Sequence, residues 1–433
     1  MTSRSISPGF LTTARKYVRA TELTGLATLL LCGLLALGGC AARRASSWAS
    51  HSEDSGTSPE TIRTMGPDQQ FTELPLTTVA QRVRALHPEQ PFNILALSGG
   101  GADGSFGAGA LVGLTQSGTR PRFSVVTGVS AGALIAPFAF LGPDWDRQLT
   151  DAYTSGRAEH LLQSRGPLSV IYGSSAYRGS PLKQLVEDYL TDALVQALAH
   201  EAASGRLLMV ATTNVDTGET VVWDLGSIAV NGFQHAKALL RDVLVASASI
   251  PGLFPPVIIR VQERGRQFEE AHVDGSASAP FLVPAILAQR TTGFDSLPRP
   301  SAVYVIVDGG LSEEPRPVEL SFRAILSRSI SVGMTHMMRT TLELTASRTE
   351  REGAHFEYAA IPATYQNLDP LDFRVSIMRR LFQYGYNCAQ TGRFWISSPR
   401  IADRDVDPRG EYGTHPNARC PAEDEFIGHF ALR

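Results

Sequence analysis

The chain is short of cysteine, with four in 433 residues, at positions 32, 40, 388 and 420. That is too few for a disulfide-built scaffold, and their spacing matches no zinc motif. It also lacks a charge excess. The formal net charge is −3, which gives no basis for a nucleic-acid partner. No apolar run reaches the roughly twenty residues that a comfortable membrane span needs. No His, Cys, Asp and Glu cluster has metal-ligand spacing, so neither a metal nor another cofactor is expected. What is left, 43% hydrophobic and 19% charged residues, is globular composition and excludes a mostly disordered chain.

The start of the chain reads as an address. Arg4, Arg15, Lys16 and Arg19 precede an uncharged, mostly apolar run from Thr24 to Gly39. A basic segment followed by a short apolar one is the pattern of a secretory signal peptide. The run ends Leu37-Gly38-Gly39-Cys40, which resembles the lipobox of bacterial lipoproteins and implies a lipid on Cys40. The neighbours Ala41 and Ala42, with no Asp beside the cysteine, imply sorting to the outer membrane. Residues 1–39 are therefore expected to be a signal peptide, and 40–74 a lipidated N-terminus and flexible tether rich in Ser, Thr, Gly and Pro. A lipid anchor in the bacterial cell envelope follows from that address. In that oxidising compartment Cys388 and Cys420 either pair or remain two free thiols.

From about residue 75 the pattern is strand, glycine loop, helix, repeated. Strands are expected at Asn93–Ser98, Phe123–Thr127, Arg206–Thr213, Thr220–Asp224, Phe268–Val273 and Ala302–Val307. Helices are expected at 104–117, after Ala131, as one long element from Ser180 to about Ala203, and over His235–Ala246. Two more are expected at 318–346, broken near Gly333, and at 371–390. Strands alternating with helices predict an α/β fold with a mostly parallel sheet and helices on both faces. One domain is expected from 75 to 400, followed by an irregular tail over 401–433.

Two motifs carry chemistry. Gly99-Gly100-Gly101-Ala102-Asp103-Gly104 follows a strand and opens a helix. Gly99, Gly101 and Gly104 satisfy G-x-G-x-x-G, but a dinucleotide site needs an acid about 20 residues on, and after Asp103 the next acid is Asp144. A plain tight turn does not need three glycines in a row. The remaining reading is an oxyanion hole, in which backbone N–H groups at a helix N-terminus hold a developing negative charge. The second motif, Gly128-Val129-Ser130-Ala131-Gly132, is G-x-S-x-G between a strand and an apolar helix, the context of a nucleophile elbow. Its base is either a late histidine, His336 or His355, or a carboxylate. Asp274 in Val273-Asp274-Gly275-Ser276 ends a strand, where a sheet presents catalytic groups, and a desolvated aspartate can accept a proton near neutral pH.

The combination of Gly99-Gly100-Gly101-x-x-Gly104, Gly128-x-Ser130-x-Gly132 and Asp274-Gly275 resembles the patatin-like phospholipase family. The segments from Ala211 to Glu219 and from Ala246 to Pro256 are similar to it as well, and the likeness covers roughly residues 92–310. It implies a three-layer patatin-like sandwich and a Ser130–Asp274 dyad. It also implies an oxyanion hole at Gly99, Gly100, Gly101 and Gly104, and tight turns at Gly128, Gly132 and Gly275. Three positions depart from the family pattern: Asp103 replaces a basic residue, Ser98 an acid, and Ser276 a glycine. The activity implied is hydrolysis of lipid carboxylic esters, of phospholipase A or lysophospholipase type, with a lipid or acyl ester as partner. Two alternatives stay open: a lipid-binding or surface-assembly lipoprotein without turnover, favoured by Asp103, and an esterase or thioesterase on smaller acyl groups. The Pro251–Pro256 segment is expected either to line an acyl groove or to pack between layers.

Overall fold

A strand covered on both faces has no need to alternate polar and apolar residues. Asn93–Leu97, Val125–Val129 and Leu207–Asn214 are buried along their whole lengths, so they belong in the middle of a doubly covered sheet. The computed structural model describes residues 60–65, 71–73, 82, 92–164, 174–231, 233–263, 266–284, 302–313, 317–365, 368–392, 394–397 and 420. The expected signal peptide, Cys40 and the tail, except Cys420, lie outside them.

The strands are β1 (Glu60–Met65), β2 (Phe71–Glu73), β3 (Asn93–Leu97), β4 (Val125–Val129), β5 (Leu207–Asn214), β6 (Glu219–Asp224), β7 (Val257–Glu263), β8 (Arg266–Asp274), β9 (Ala302–Gly310) and β10 (His355–Ile361). They form one sheet in the order β10-β9-β3-β4-β5-β6-β1-β2. The run from β10 to β5 is parallel, whereas β6 is antiparallel to β5. The antiparallel β7–β8 ribbon joins through β8 at the end of β5.

The helices are α1 (Gly104–Gln116), α2 (Ala131–Leu141), α3 (Asp146–Thr154), α4 (Ser180–Tyr189), α5 (Asp192–Ala203), α6 (Leu225–Asn231), α7 (Phe233–Ser247), α8 (Phe322–Arg351) and α9 (Val375–Gln390). Two apolar layers result. One joins sheet residues such as Leu95 and Val126 to Phe106, Ile135, Leu198 and Leu240 of the helices. The other joins Ile94, Val303 and Phe356 to Leu342 and Ala346 of α8. This is the doubly covered, mostly parallel sheet expected from the sequence.

Several expectations are corrected. Residues 60–65 were expected within a tether, yet they form β1 and pair with β6. The strand has no apolar alternation to reveal it. Its buried residue Arg63 is satisfied by an ion pair with Glu270 and lies over the Trp223 ring. The expected single helix from Ser180 is two, because Thr191 takes an extended conformation and its side chain caps α5 by accepting from Leu194 N–H. No break occurs at Gly333, and α8 runs through it. β7 and β10 were not expected; the proline-rich segment before one and the helical reading before the other obscured them. Cys388 and Cys420 are joined, with Cα atoms 5.1 Å apart.

Candidate active site

The elbow begins where β4 ends. Ser130 has φ 55°, a left-handed backbone that a non-glycine residue adopts only when its surroundings impose it. The turn is tight on both sides. A Cβ on Gly128 would lie 2.4 Å from the Gly132 carbonyl oxygen, and one on Gly132 would lie 2.5 Å from that of Leu97. The Ser130 N–H donates to the Ser247 hydroxyl at 3.0 Å, and that hydroxyl donates to the Ala211 carbonyl at 2.7 Å. Ser247, which nothing in the sequence signalled, thus ties the elbow to β5 from the end of α7.

The carboxylate arrives by strand register. Val129 of β4 pairs with Ala211 of β5, and on the same edge Thr212 pairs with Asp274 of β8. β8 takes up the edge of β5 where β4 leaves it, so Asp274 meets the residue after Val129. The Ser130 hydroxyl donates to Asp274 Oδ2 at 2.5 Å, and Asp274 Oδ1 accepts from the Ser276 N–H at 2.8 Å. Burial pushes the Asp274 carboxyl up to about 6, with the hydrogen bonds from Ser130 and Ser276 acting in the other direction. Gly275 is required for space: a Cβ there would lie 2.4 Å from the Ala211 carbonyl oxygen.

Neither late histidine bonds this pair. His336 and His355 are exposed. His355 opens β10 opposite Ala302, at the end of β9 remote from the glycine loop. His272, two residues before Asp274, is buried with both ring nitrogens engaged, by Thr212 and Glu270. Among the described residues no histidine bonds Ser130 or Asp274.

The glycine loop divides its labour. Among the described residues the N–H groups of Gly100 and Gly101 meet no acceptor, so they are the available donors. Gly99 and Gly104, expected in the same role, are corrected. The Gly99 N–H donates to the Pro280 carbonyl at 3.1 Å. The Gly104 N–H is spent on the turn carbonyls of Gly101 and Ala102. Both supply space instead. A Cβ on Gly99 would lie 3.1 Å from that of Ser130, and one on Gly104 would lie 2.9 Å from that of Ala131.

Two buried carboxyls flank the loop. Asp308 of β9 accepts from the Gly107 N–H at 2.8 Å, and its other oxygen is buried without a partner among the described residues. Burial raises it well above the ordinary range, and the gain is reinforced by Asp103. Asp103 itself is pushed up to about 8, first by burial and then by Asp369 and Asp372. Beyond Ser130 an apolar cavity of about 920 Å³, counted with its open mouth, is lined by Leu134, Phe138, Val186, Ile250, Phe254 and other residues. Ile250 and Phe254 thus place the proline-rich segment on the cavity wall.

A serine at a strand–helix elbow, facing a buried aspartate across a mostly parallel sheet, defines a class of α/β proteins with a serine–carboxylate site. The family model described as patatin-like phospholipase matches residues 95–320, just over half of the chain. The chain belongs to that family. It is 23% identical over 197 residues to two patatin-like phospholipase domain-containing proteins of Cryptococcus neoformans, a stretch that is 45% of this chain but 22% and 20% of theirs. The chain therefore spans about a fifth of the length of these relatives. Among solved structures it is similar to VipD from Legionella pneumophila, with 12% identity, TM-score 0.30, and 82% of this chain and 74% of that one covered. It is also similar to human GIVD cytosolic phospholipase A2, with 13% identity, TM-score 0.28, and 59% and 48% covered.

Proposed function

We propose that this protein is a serine acyl hydrolase that cleaves carboxylic esters of lipids, of phospholipase A or lysophospholipase type. The observation that carries the reading is the 2.5 Å hydrogen bond from Ser130 Oγ to Asp274, in a site where the carboxylate is desolvated enough to accept a proton. Ser130 Oγ attacks the ester carbonyl carbon while its proton passes to Asp274. The N–H groups of Gly100 and Gly101 hold the negative oxygen. Collapse of this intermediate breaks the ester bond, and the leaving alkoxide takes the proton back from Asp274. Water then attacks the acyl-enzyme, again losing a proton to Asp274; as the bond between the acyl carbon and Ser130 Oγ breaks, Asp274 returns that proton to Ser130 and the fatty acid leaves. The apolar cavity behind Ser130 suits an acyl chain.

The rival reading, lipid binding without turnover, draws on Asp103 beside the oxyanion donors. With its carboxyl raised to about 8, Asp103 is neutral at pH 7 and does not oppose the oxyanion. A lipid anchor on Cys40 would keep the enzyme at the bacterial envelope, on its substrate. The deciding experiment offers the full chain a panel of phospholipids, lysolipids, triglycerides, thioesters and short esters, with Ser130→Ala as control. Release of fatty acid from the glycerolipids by the native chain alone is expected. Lipid binding with no Ser130-dependent release from any of these would overturn the proposal.

A further inference from the structure

β9 carries no charge from Ala302 to Val307, and then an acid follows at Asp308. Asp308 is 1% exposed. A carboxyl in such a place is costly, because a buried polar group needs partners. Asp308 has a partner for one oxygen and, among the described residues, none for the other. Stability alone would favour an apolar side chain at this point. The contacts of Asp308 give the acid a use.

Asp308 holds the glycine loop at three places. Its N–H donates to the Ser98 hydroxyl at 2.9 Å, and that hydroxyl donates to the Gly99 carbonyl at 2.8 Å. Its main chain lies against Gly100, where an added Cβ would also come within 2.7 Å of the Asp308 Cβ. Its side chain accepts from the Gly107 N–H at 2.8 Å, in the first turn of α1. A Cβ on Gly107 would lie 2.4 Å from the accepting oxygen. Gly100 and Gly107 are thus small where Asp308 needs the room. The three contacts bracket the donors, with Ser98 before Gly100 and Gly101 and Gly107 after them.

The loop is also held by the carbonyls of Pro280 and Pro370, but neither residue belongs to a strand. Asp308 refers the loop to β9, which pairs with β3. β4, which delivers Ser130, pairs with the other edge of β3. Nucleophile and donors are thereby located by one three-stranded frame. Burial, with Asp103 adding to it, keeps the Asp308 carboxyl well above the ordinary range. It is therefore uncharged at neutral pH and sets no negative charge against an oxyanion.

We infer that Asp308 is a positioning residue for the oxyanion donors, its hydrogen bond to the first turn of α1 fixing where the Gly100 and Gly101 N–H groups point. The inference rests on the proposed ester hydrolysis. Its signature is a loss confined to the transition state, where the negative oxygen forms.

The test uses the full chain as native protein, Asp308→Asn and Asp308→Ala, with circular dichroism as a folding check. Asparagine keeps an uncharged acceptor for the Gly107 N–H, and alanine removes it. Rates are measured on one soluble ester. Affinity is measured for an alkyl trifluoromethyl ketone, which Ser130 converts to a tetrahedral oxyanion, and for the fatty acid of the same length, which forms no such adduct. Asp308→Ala should lower kcat about 10–10²-fold with KM nearly unchanged. Its affinity for the ketone should fall by a similar factor, while that for the fatty acid stays native. Asp308→Asn should stay close to native in all three measurements. Should Asp308→Ala not fold, Asp308→Ser, whose shorter side chain does not reach Gly107, replaces it and is read in the same way.

Native kcat in the folded truncation overturns the inference. So does an equal loss of ketone and fatty acid, which is what a merely structural acid would give. Asp308→Asn as slow as the truncation overturns it as well, since the charge and not the hydrogen bond would then be acting. Each of these faults the positioning role alone. If the native chain hydrolyses no ester and does not bind the ketone, the proposed activity falls and the positioning role with it.

Discussion

Asp274 of β8 stands opposite Thr212 of β5, one step beyond the pair formed by Val129 and Ala211. The residue that follows Val129 is Ser130, so the contact between the Ser130 hydroxyl and the Asp274 carboxylate is a consequence of sheet register. A slip of one residue in β8 would turn Asp274 to the opposite face. The β7–β8 ribbon guards against this, since it is paired over seven positions from Val257–His272 to Glu263–Arg266.

The first prediction concerns the pair itself. Ser130→Ala should leave only residual ester hydrolysis. Asp274→Asn, which keeps the shape but cannot take the proton, should cost about 10²–10⁴ in rate. His336→Ala and His355→Ala should each retain most activity. The measurement is kcat/KM on one ester for the four variants, with circular dichroism as a folding check. A folded, nearly fully active Asp274→Asn would sink the dyad.

Much of this site was legible because its chemistry needs local backbone geometry. Gly128 and Gly132 around Ser130, and Gly100 and Gly101 after β3, are small because neighbouring backbone leaves no room, and that demand is written in closely spaced residues. Gly99 and Gly104 share the motif with Gly100, but which N–H groups remain free depends on the carbonyls of Pro280 and of the turn, and sequence does not show those. Ser247 and Asp308 were not legible for a related reason. Each acts from far along the chain on a backbone N–H, of Ser130 and Gly107 respectively, and a lone Ser or Asp carries no pattern. β1 escaped because Arg63 occupies a buried position only by virtue of Glu270, 207 residues away.

The pH profile follows from Asp274. Its carboxyl is raised to about 6 and must be ionised to accept the Ser130 proton. Activity should therefore be low at pH 5, rise about tenfold per unit below pH 6 and level off above it. Initial rates on a neutral soluble ester across pH 4.5–7.5 test this. A rate already flat from pH 4.5 would mean that the base has an ordinary carboxyl pKa.

Ser247 is expected to act as a positioning residue. Ser247→Ala leaves the buried Ser130 N–H without its acceptor, a loss of about 1–3 kcal/mol. The strained backbone at Ser130 should relax, lowering kcat by about tenfold while KM changes little. Denaturant unfolding and steady-state kinetics on the same sample separate the two effects. Reduced stability with native kcat would limit Ser247 to a structural part.

Gly100→Ala should fail for a steric reason. Its Cβ would lie 1.9 Å from the Asp308 carbonyl oxygen, so the loop must move and carry the Gly100 N–H with it. A loss of about 1–3 kcal/mol in stability is expected, together with a fall of about 10²–10³ in kcat for one displaced oxyanion donor. By contrast, Gly118→Ala, where nothing lies within 4 Å of the added Cβ, meets only the cost of its left-handed backbone. Its kcat should stay at the native value.

Asp103 makes the last prediction, because its sign differs from that of a salt-bridged carboxylate. Its folded carboxyl is raised from 3.8 to about 8, so folding takes up a proton between those values. The protonated form is favoured by the fold, and the stability tied to it is greatest below pH 4 and is lost progressively until pH 8. Asp103→Asn removes that loss. The variant should gain on the native protein as pH rises from 5 to 8, by roughly 3–4 kcal/mol over that range, and the gain should then stop growing. Activity should show the same group from the other side. Above pH 8 the ionised Asp103 stands at the start of α1, close to the N–H donors of Gly100 and Gly101, and opposes a negative oxygen there. The native rate should fall above pH 8, and in Asp103→Asn that alkaline limb should disappear while the rise near pH 6 set by Asp274 stays in place. Thermal unfolding and initial rates for both proteins from pH 5 to 9.5 supply the comparison. A stability difference that does not change with pH, or an alkaline fall that survives in the variant, would show that Asp103 does not titrate beside the glycine loop.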